Sequence, residues 1–216
     1  LHFNSFDLGG EGGTALIQAA RNGHNDVLQK LLNNGAEINT TELMFHHSAL
    51  MVAALNGHLK SVKLLLDAGA DPMLRDTSQR SALLLAATNN HLPVVKHLVD
   101  AKQNVRQNDS NGNCIWHLIA MMDSQKNTGG NSTEIEKKDT DDLALMKELI
   151  SQGISLDSKN NEGETALMIA VRRENLNLVK IFIELGASPY IFTPGRENAL
   201  SVAEKIGNIE VLNLLR

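Results

Sequence analysis

Eight histidines, one cysteine and a glycine-rich run are the residues with which this 216-residue chain could do chemistry. His24, His58 and His91 stand 34 and 33 residues apart, an interval that suits a shared structural task better than a common metal. The adjacent pair His46 and His47 cannot chelate one ion from a regular element, and no cluster of Cys or carboxylates completes a ligand set. Cys114 has no recurring His or Asp partner that would make it a nucleophile. The run GGEGG from Gly9 to Gly13 lacks the Lys-Ser/Thr of a phosphate loop. Asn39, Asn108 and Asn131 open glycosylation-type triplets, which arise readily by chance. These residues predict no catalytic centre, no metal site and no cofactor, so the chain is not expected to be an enzyme.

Composition narrows the classes further. Apolar residues make up 42% of the chain, enough for a core, but aromatics are only 3%, so that core must be built from Leu, Val, Ile and Ala. A net charge of −5 argues against a nucleic-acid footprint. A single Cys rules out an intrachain disulfide framework and fits a reducing, cytoplasmic setting. No apolar run approaches the roughly 18 residues of a membrane span, and the N-terminus does not read as a signal peptide. The chain opens on Leu1 and closes within an apolar pattern at Leu214-Leu215-Arg216, so a longer parent protein is expected.

A repeat supplies the elements. GGTALIQAARNGHNDVLQKLLNNGAEIN from Gly12 recurs as HSALMVAALNGHLKSVKLLLDAGADP from His47 and RSALLLAATNNHLPVVKHLVDAKQNV from Arg80. It returns as GETALMIAVRRENLNLVKIFIELGASP from Gly163 and ENALSVAEKIGNIEVLNLLR from Glu197. The opening residues Thr14, Ser48, Ser81, Thr165 and Asn198 are spaced by 34, 33, 84 and 33. The long interval holds a sixth unit, GNCIWHLIAMM from Gly112, rejoined at Asp142 by DLALMKELISQGISLD. Such a period signals stacked units. Each begins with a good N-cap, runs through a short Ala-bearing helix, breaks at Gly23, Gly57, Asn90 or Gly207, and continues in a second helix. Gly35, Gly69, Gly153 and Gly186 end that second helix. Lys102 takes the same position in the third unit, where a non-Gly residue is strained. One unit cannot bury its apolar face alone, so units must stack.

These motifs resemble the ankyrin repeat family over nearly the whole chain. The family's Thr-Pro-Leu-His-x-Ala-Ala signature is matched by TALIQAA, SALMVAA, SALLLAA, CIWHLIA, TALMIAV and NALSVAE. Ala replaces Pro in five of these, and only His117 keeps the signature His. The resemblance implies an all-α solenoid of about six helix-turn-helix units with hairpin-like loops, forming one domain over 1–216. The units fall near 9–42, 43–75, 76–108, 109–159, 160–192 and 193–216, the last incomplete. By position, Cys114 is a buried stand-in for the capping Thr, and Trp116 occupies the core-facing Leu site. Asn39 resembles hairpin asparagines that are hydroxylated in other members.

The family commonly binds partners on a concave face made of hairpin tips and first helices. Carried across, that face comprises Met44, Phe45, His47, Leu55, Asn56, Arg80, Asn89, Asn113, Met121, Met122, Arg172 and Arg173, with Glu11 at its start. The tip LMFHH is the most telling, because Met44 and Phe45 replace the usual polar tip residues. The alternative is that both fold back on the neighbouring tip, or that the hairpin is displaced. The polar insertion at 123–141 reads as a solvated surface excursion, with a second contact region or a regulated tether as the alternative. The expectation is a monomeric, non-catalytic module that binds a protein or peptide, without nucleic acid and without membrane insertion. The competing readings are a targeting module for an enzyme encoded outside the chain, a secreted bacterial effector acting in host cytosol, and a spacer with no defined ligand.

Overall fold

The computed structural model describes residues 14–101, 104–121 and 143–216. Lys102, Met122, Glu11 and the insertion 123–141 lie outside the described residues. The chain divides into two compact units, Leu1–Asn104 and Val105–Arg216.

In the first unit the helices come in pairs: α1 Ala15–Arg21 with α2 Asn25–Asn33, α3 Ala49–Leu55 with α4 Leu59–Asp67, and α5 Ala82–Thr88 with α6 Leu92–Asp100. The expected caps form. Thr14, Ser48 and Ser81 accept from the backbone N–H three residues on, at 3.3, 3.3 and 3.5 Å. The first helices pack side by side through small residues, with Ala49, Ala53 and Ala86 fully buried. Side chains this short let helices approach closely and interlock Leu and Val between them.

Each pair turns through a left-handed residue. Gly57 has φ +74, and Asn90 holds the same place at φ +56. The end of the second helix is closed by paired backbone bonds, Gly69 N–H to Leu66 O at 3.0 Å and Ala70 N–H to Leu65 O at 2.9 Å. That is the Schellman pattern the C′ glycines predict.

The second unit repeats the plan with α7 Ile115–Ala120, α8 over 143–151, α9 Ala166–Arg172, α10 Leu176–Glu184, α11 Ala199–Ile206 and α12 Ile209–Leu215. Here α7 packs on α9 and α9 on α11. Trp116 is fully buried, as its signature position predicts. It meets Phe182 edge to face at 6.4 Å and donates from its indole N–H to Ile154 O at 3.4 Å. The described residues contain helices and one isolated bridge, Thr41 to Ser48, but no strand.

Candidate functional site

The loop between α2 and α3 is built differently from its sisters. Elsewhere the tip is closed by a backbone bond spanning four residues, as from Asp76 N–H to Arg80 O and from Asn160 N–H to Glu164 O. In the second repeat Glu42 N–H reaches His47 O, five residues on, at 3.0 Å. The one-residue excess in the first spacing of 34 therefore sits in this tip. Sister tips are also braced from within. Asp76 Oδ1 accepts from the backbone of Ser78 and Arg80, and Asp109 Oδ1 from Asn111 and Asn113. Glu42 takes the bracing position here, and its longer side chain turns to Arg21 and His47 instead.

The extra residue pushes the tip outward. Leu43 is 72% exposed, Met44 62% and Phe45 48%. Of the expected alternative, folding back on the next tip, the structure shows a backbone contact: Thr77 N–H donates to Phe45 O at 3.1 Å. Three consecutive large apolar side chains at a tip leave unusual apolar area in water.

Beneath the tip lies a buried charge network. Arg21 Nη2 is 2.6 Å from Glu42 Oε2, and Arg80 Nε is 2.8 Å from Asp76 Oδ2. Between the two carboxylates stands His47, with Nδ1 2.9 Å from Glu42 Oε1 and Nε2 3.4 Å from Asp76 Oδ2. His47 is 5% exposed and stacked under Phe45, with ring centroids 5.5 Å apart. It therefore cannot touch a partner directly, which corrects the expectation that it contributes contact surface. Asn113 is corrected for the same reason. It is buried and spent on Asp109 Oδ2 at 3.1 Å and Asn160 Nδ2 at 3.1 Å.

The other expected residues are divided between the two units. In the first, Asn56 and Asn89 are exposed at the ends of α3 and α5, while Leu55 and Arg80 are half-buried. Asn89 is partly committed, since its Nδ2 donates to Leu55 O at 2.8 Å. In the second, Arg172 and Arg173 are exposed and Met121 is half-buried; Arg172 is ion-paired with Glu164. Two exposed aromatics there, Tyr190 and Phe192, had no signal in the signature positions.

Two of the three recurring histidines bond to backbone carbonyls. His58 Nε2 lies 3.0 Å from Arg21 O, and His91 Nε2 lies 3.0 Å from Leu55 O, so each imidazole closes the end of the preceding first helix. Burial pushes His91 below its ordinary value, favouring the neutral donor. Cys114 Sγ lies 3.1 Å from His117 Nδ1, a spacing that superficially suits a thiol–imidazole dyad. Its environment opposes one. Burial pushes the thiol up and the imidazole down, so both are held neutral. His117 Nδ1 already accepts from Cys114 N–H at 3.1 Å, which leaves Nε2–H to donate to Glu164 O at 3.0 Å. Among the described residues, no three His, Cys, Asp or Glu side chains form a metal-binding group, and no helix is long and apolar enough to cross a membrane.

Stacked helix pairs joined by hairpin tips, each opened by a capped signature turn, define a helical repeat solenoid. The family model for ankyrin repeats, in three copies, matches residues 1–76, 50–128 and 137–216, and the chain belongs to the ankyrin repeat family. Ankyrin repeats are generally protein–protein interaction modules and typically non-catalytic.

Among curated proteins the chain is similar to Protein HOS4 of Saccharomyces cerevisiae, 43% identical over 67 residues, which is 31% of this chain and 6% of that protein. It is similar to the transient receptor potential cation channel subfamily A member 1 homolog of Caenorhabditis elegans, 26% identical over 171 residues, 79% of this chain and 13% of the channel. A third is the ankyrin repeat and KH domain-containing protein mask-1 of the same organism, 39% identical over 62 residues, 29% of this chain and 2% of that protein. The chain thus spans a small part of each of these relatives.

Proposed function

We propose that the chain is a non-catalytic module that binds a protein or peptide partner at the hairpin tips and first-helix ends of its first unit. The observation that carries this reading is the outward tip Leu43-Met44-Phe45, whose three apolar side chains are 72, 62 and 48% exposed. Partner surfaces gain most from burying aromatic and Met side chains, and Arg is enriched beside them. Arg80 and Asn56 supply polar groups on the same unit. Arg172 and Arg173 are a separate polar candidate in the second unit. The proposed module acts as a monomer in the cytoplasm.

Photo-crosslinking from a benzophenone amino acid tests this reading. Placed at Phe45 or Met44, it should trap a discrete partner from lysate, and that partner should then bind the purified chain. Placed at Lys63, on the exposed side of α4, it should not. Equal trapping from both places would refute the assignment of the tip.

A further inference from the structure

The charges around the outward tip are sorted by depth. Arg21 and Arg80 have side chains 28 and 26% exposed, whereas the carboxylates they pair with, Glu42 and Asp76, are 3 and 0% exposed. Each pair therefore shows its cation to water and keeps its anion beneath. Arg75 adds a third, half-buried guanidinium on the neighbouring tip, where its Nη1 donates to Gln79 O at 2.7 Å. The other described carboxylates of the first unit, Asp26, Glu37, Asp67, Asp71 and Asp100, lie on second helices or the loops that follow them. The whole chain carries a net charge of −5, so a cationic tip runs against its overall balance. We propose that the occupant of this surface is an acidic peptide segment. An apolar side chain of that segment packs on Met44 and Phe45, while its Asp or Glu residues pair with Arg21, Arg75 and Arg80. That the tip is occupied rests on the reading above; that its occupant is acidic rests on the charges.

These groups form one contiguous surface. Thr77 N–H donates to Phe45 O at 3.1 Å, which sets the tip carrying Arg75 and Arg80 against the apolar one. Arg21 joins from the end of α1 through Glu42, the residue before Leu43. Arg80 bonds Asp76 through Nε, and Arg21 bonds Glu42 through Nη2. Both Nη groups of Arg80 and Nη1 of Arg21 make no hydrogen bond among the described residues. A guanidinium with an open edge suits a carboxylate, which it can grip through two N–H groups. Held at its other edge by a buried carboxylate, it loses little further freedom when a partner binds.

The flanking groups favour a peptide over a nucleic acid or an anionic lipid surface. Asn56 Nδ2 donates to Val52 O at 2.7 Å and Asn89 Nδ2 to Leu55 O at 2.8 Å. What each exposed amide has left to offer is chiefly its acceptor oxygen, which suits a peptide N–H and not a phosphate oxygen. A chain of net charge −5 also repels an extended polyanion. A short segment with a few carboxylates feels mainly the cations within a Debye length, about 8 Å at physiological salt. Its apolar side chain gains from covering Met44 and Phe45, as anchors at interface centres do.

The test is selection of a phage-displayed library of random peptides on the purified chain. Depletion on the Met44→Ala/Phe45→Ala variant leaves only binders that need the tip. Those peptides should be enriched in Asp and Glu beside an apolar residue. Synthesised with a fluorescent label, they should bind the unaltered chain with an affinity that falls steadily as sodium chloride is raised. Arg75→Gln should weaken them roughly two- to fivefold. The salt series on the unaltered chain decides the matter even if that variant folds poorly. Tip-dependent peptides with no acidic excess, or with binding indifferent to salt, would overturn the acidic occupant and leave the tip reading standing. Recovery of no tip-dependent peptide would refute the tip reading and the acidic occupant together.

Discussion

Comparing Gly57→Ala with Gly69→Ala separates backbone strain from side-chain contact. Both glycines are left-handed, at φ +74 and +88. A left-handed alanine costs roughly 1–2 kcal/mol, and the stiffer unfolded chain returns about 0.4–1 kcal/mol of that. A Cβ on Gly69 meets nothing within 4 Å, so that variant should lose only about 1 kcal/mol. At Gly57 the new Cβ would lie 2.5 Å from His91 Nδ1 and 2.7 Å from Cε1. The ring must swing away and give up its 3.0 Å bond to Leu55 O, a further loss of roughly 0.5–1.5 kcal/mol.

Gly57→Ala should therefore be the more destabilising by about 1 kcal/mol, read as the difference in urea midpoint multiplied by a common slope. A second readout is independent of stability. Burial holds His91 below its ordinary value, so a displaced ring should titrate closer to 6.5 by NMR. Equal losses in the two variants, with His91 titrating as in the wild type, would refute the claim that the imidazole packs on Gly57.

Gln79 sits at φ +62 where the sister tips carry Gly112 and Gly163, so Gln79→Gly should raise the urea midpoint, by about 0.5–1 kcal/mol. Its backbone carbonyl, which accepts from Arg75, is kept. Met44→Ala with Phe45→Ala should weaken partner binding by roughly thirtyfold or more while leaving the thermal midpoint nearly unchanged. Trp116→Ala should instead cost about 3–5 kcal/mol of folding energy, seen in chemical denaturation. Burial holds folded His117 below 6.5, so the unfolded chain takes up the proton first on acidification. Stability should be complete above about pH 6.5 and fall below it, and a urea-midpoint series from roughly pH 7.5 to 5.5 should flatten in His117→Gln.

Much of the architecture is legible in the chain because it is local. A Thr or Ser cap answers to a backbone N–H three residues away, and a C′ glycine to carbonyls within one turn. Thr14, Ser48, Ser81 and Thr165 accordingly cap the helices their places in the repeat predict. Cys114 is buried at the N-cap place of α7, where its own N–H donates to His117 Nδ1 and its thiol makes no capping bond like those of Thr and Ser. Trp116 was legible from its signature position, since a repeat imposes the same inside and outside on every copy.

The candidate site was legible only in part. Met44 and Phe45 stood out as the wrong residues for a tip, and the extra residue in the spacing of 34 was the available sign that this tip would bulge. His47 and Asn113 look like surface polar residues in sequence, yet they are buried among groups from other loops. Nothing local in either stretch announces those partners.

The sequence by itself determined the repeat, its helix pairs, their caps and breaks, and the family, because these follow from side-chain type at short range and from a period that repeats it. Only the tertiary structure decided which tip residues face water. Glu42 and Asp76 are 34 residues apart in the chain and meet on opposite sides of one imidazole, and that encounter depends on how neighbouring hairpins register against each other. Burial of a charge is a property of everything packed around it, which a linear pattern does not carry.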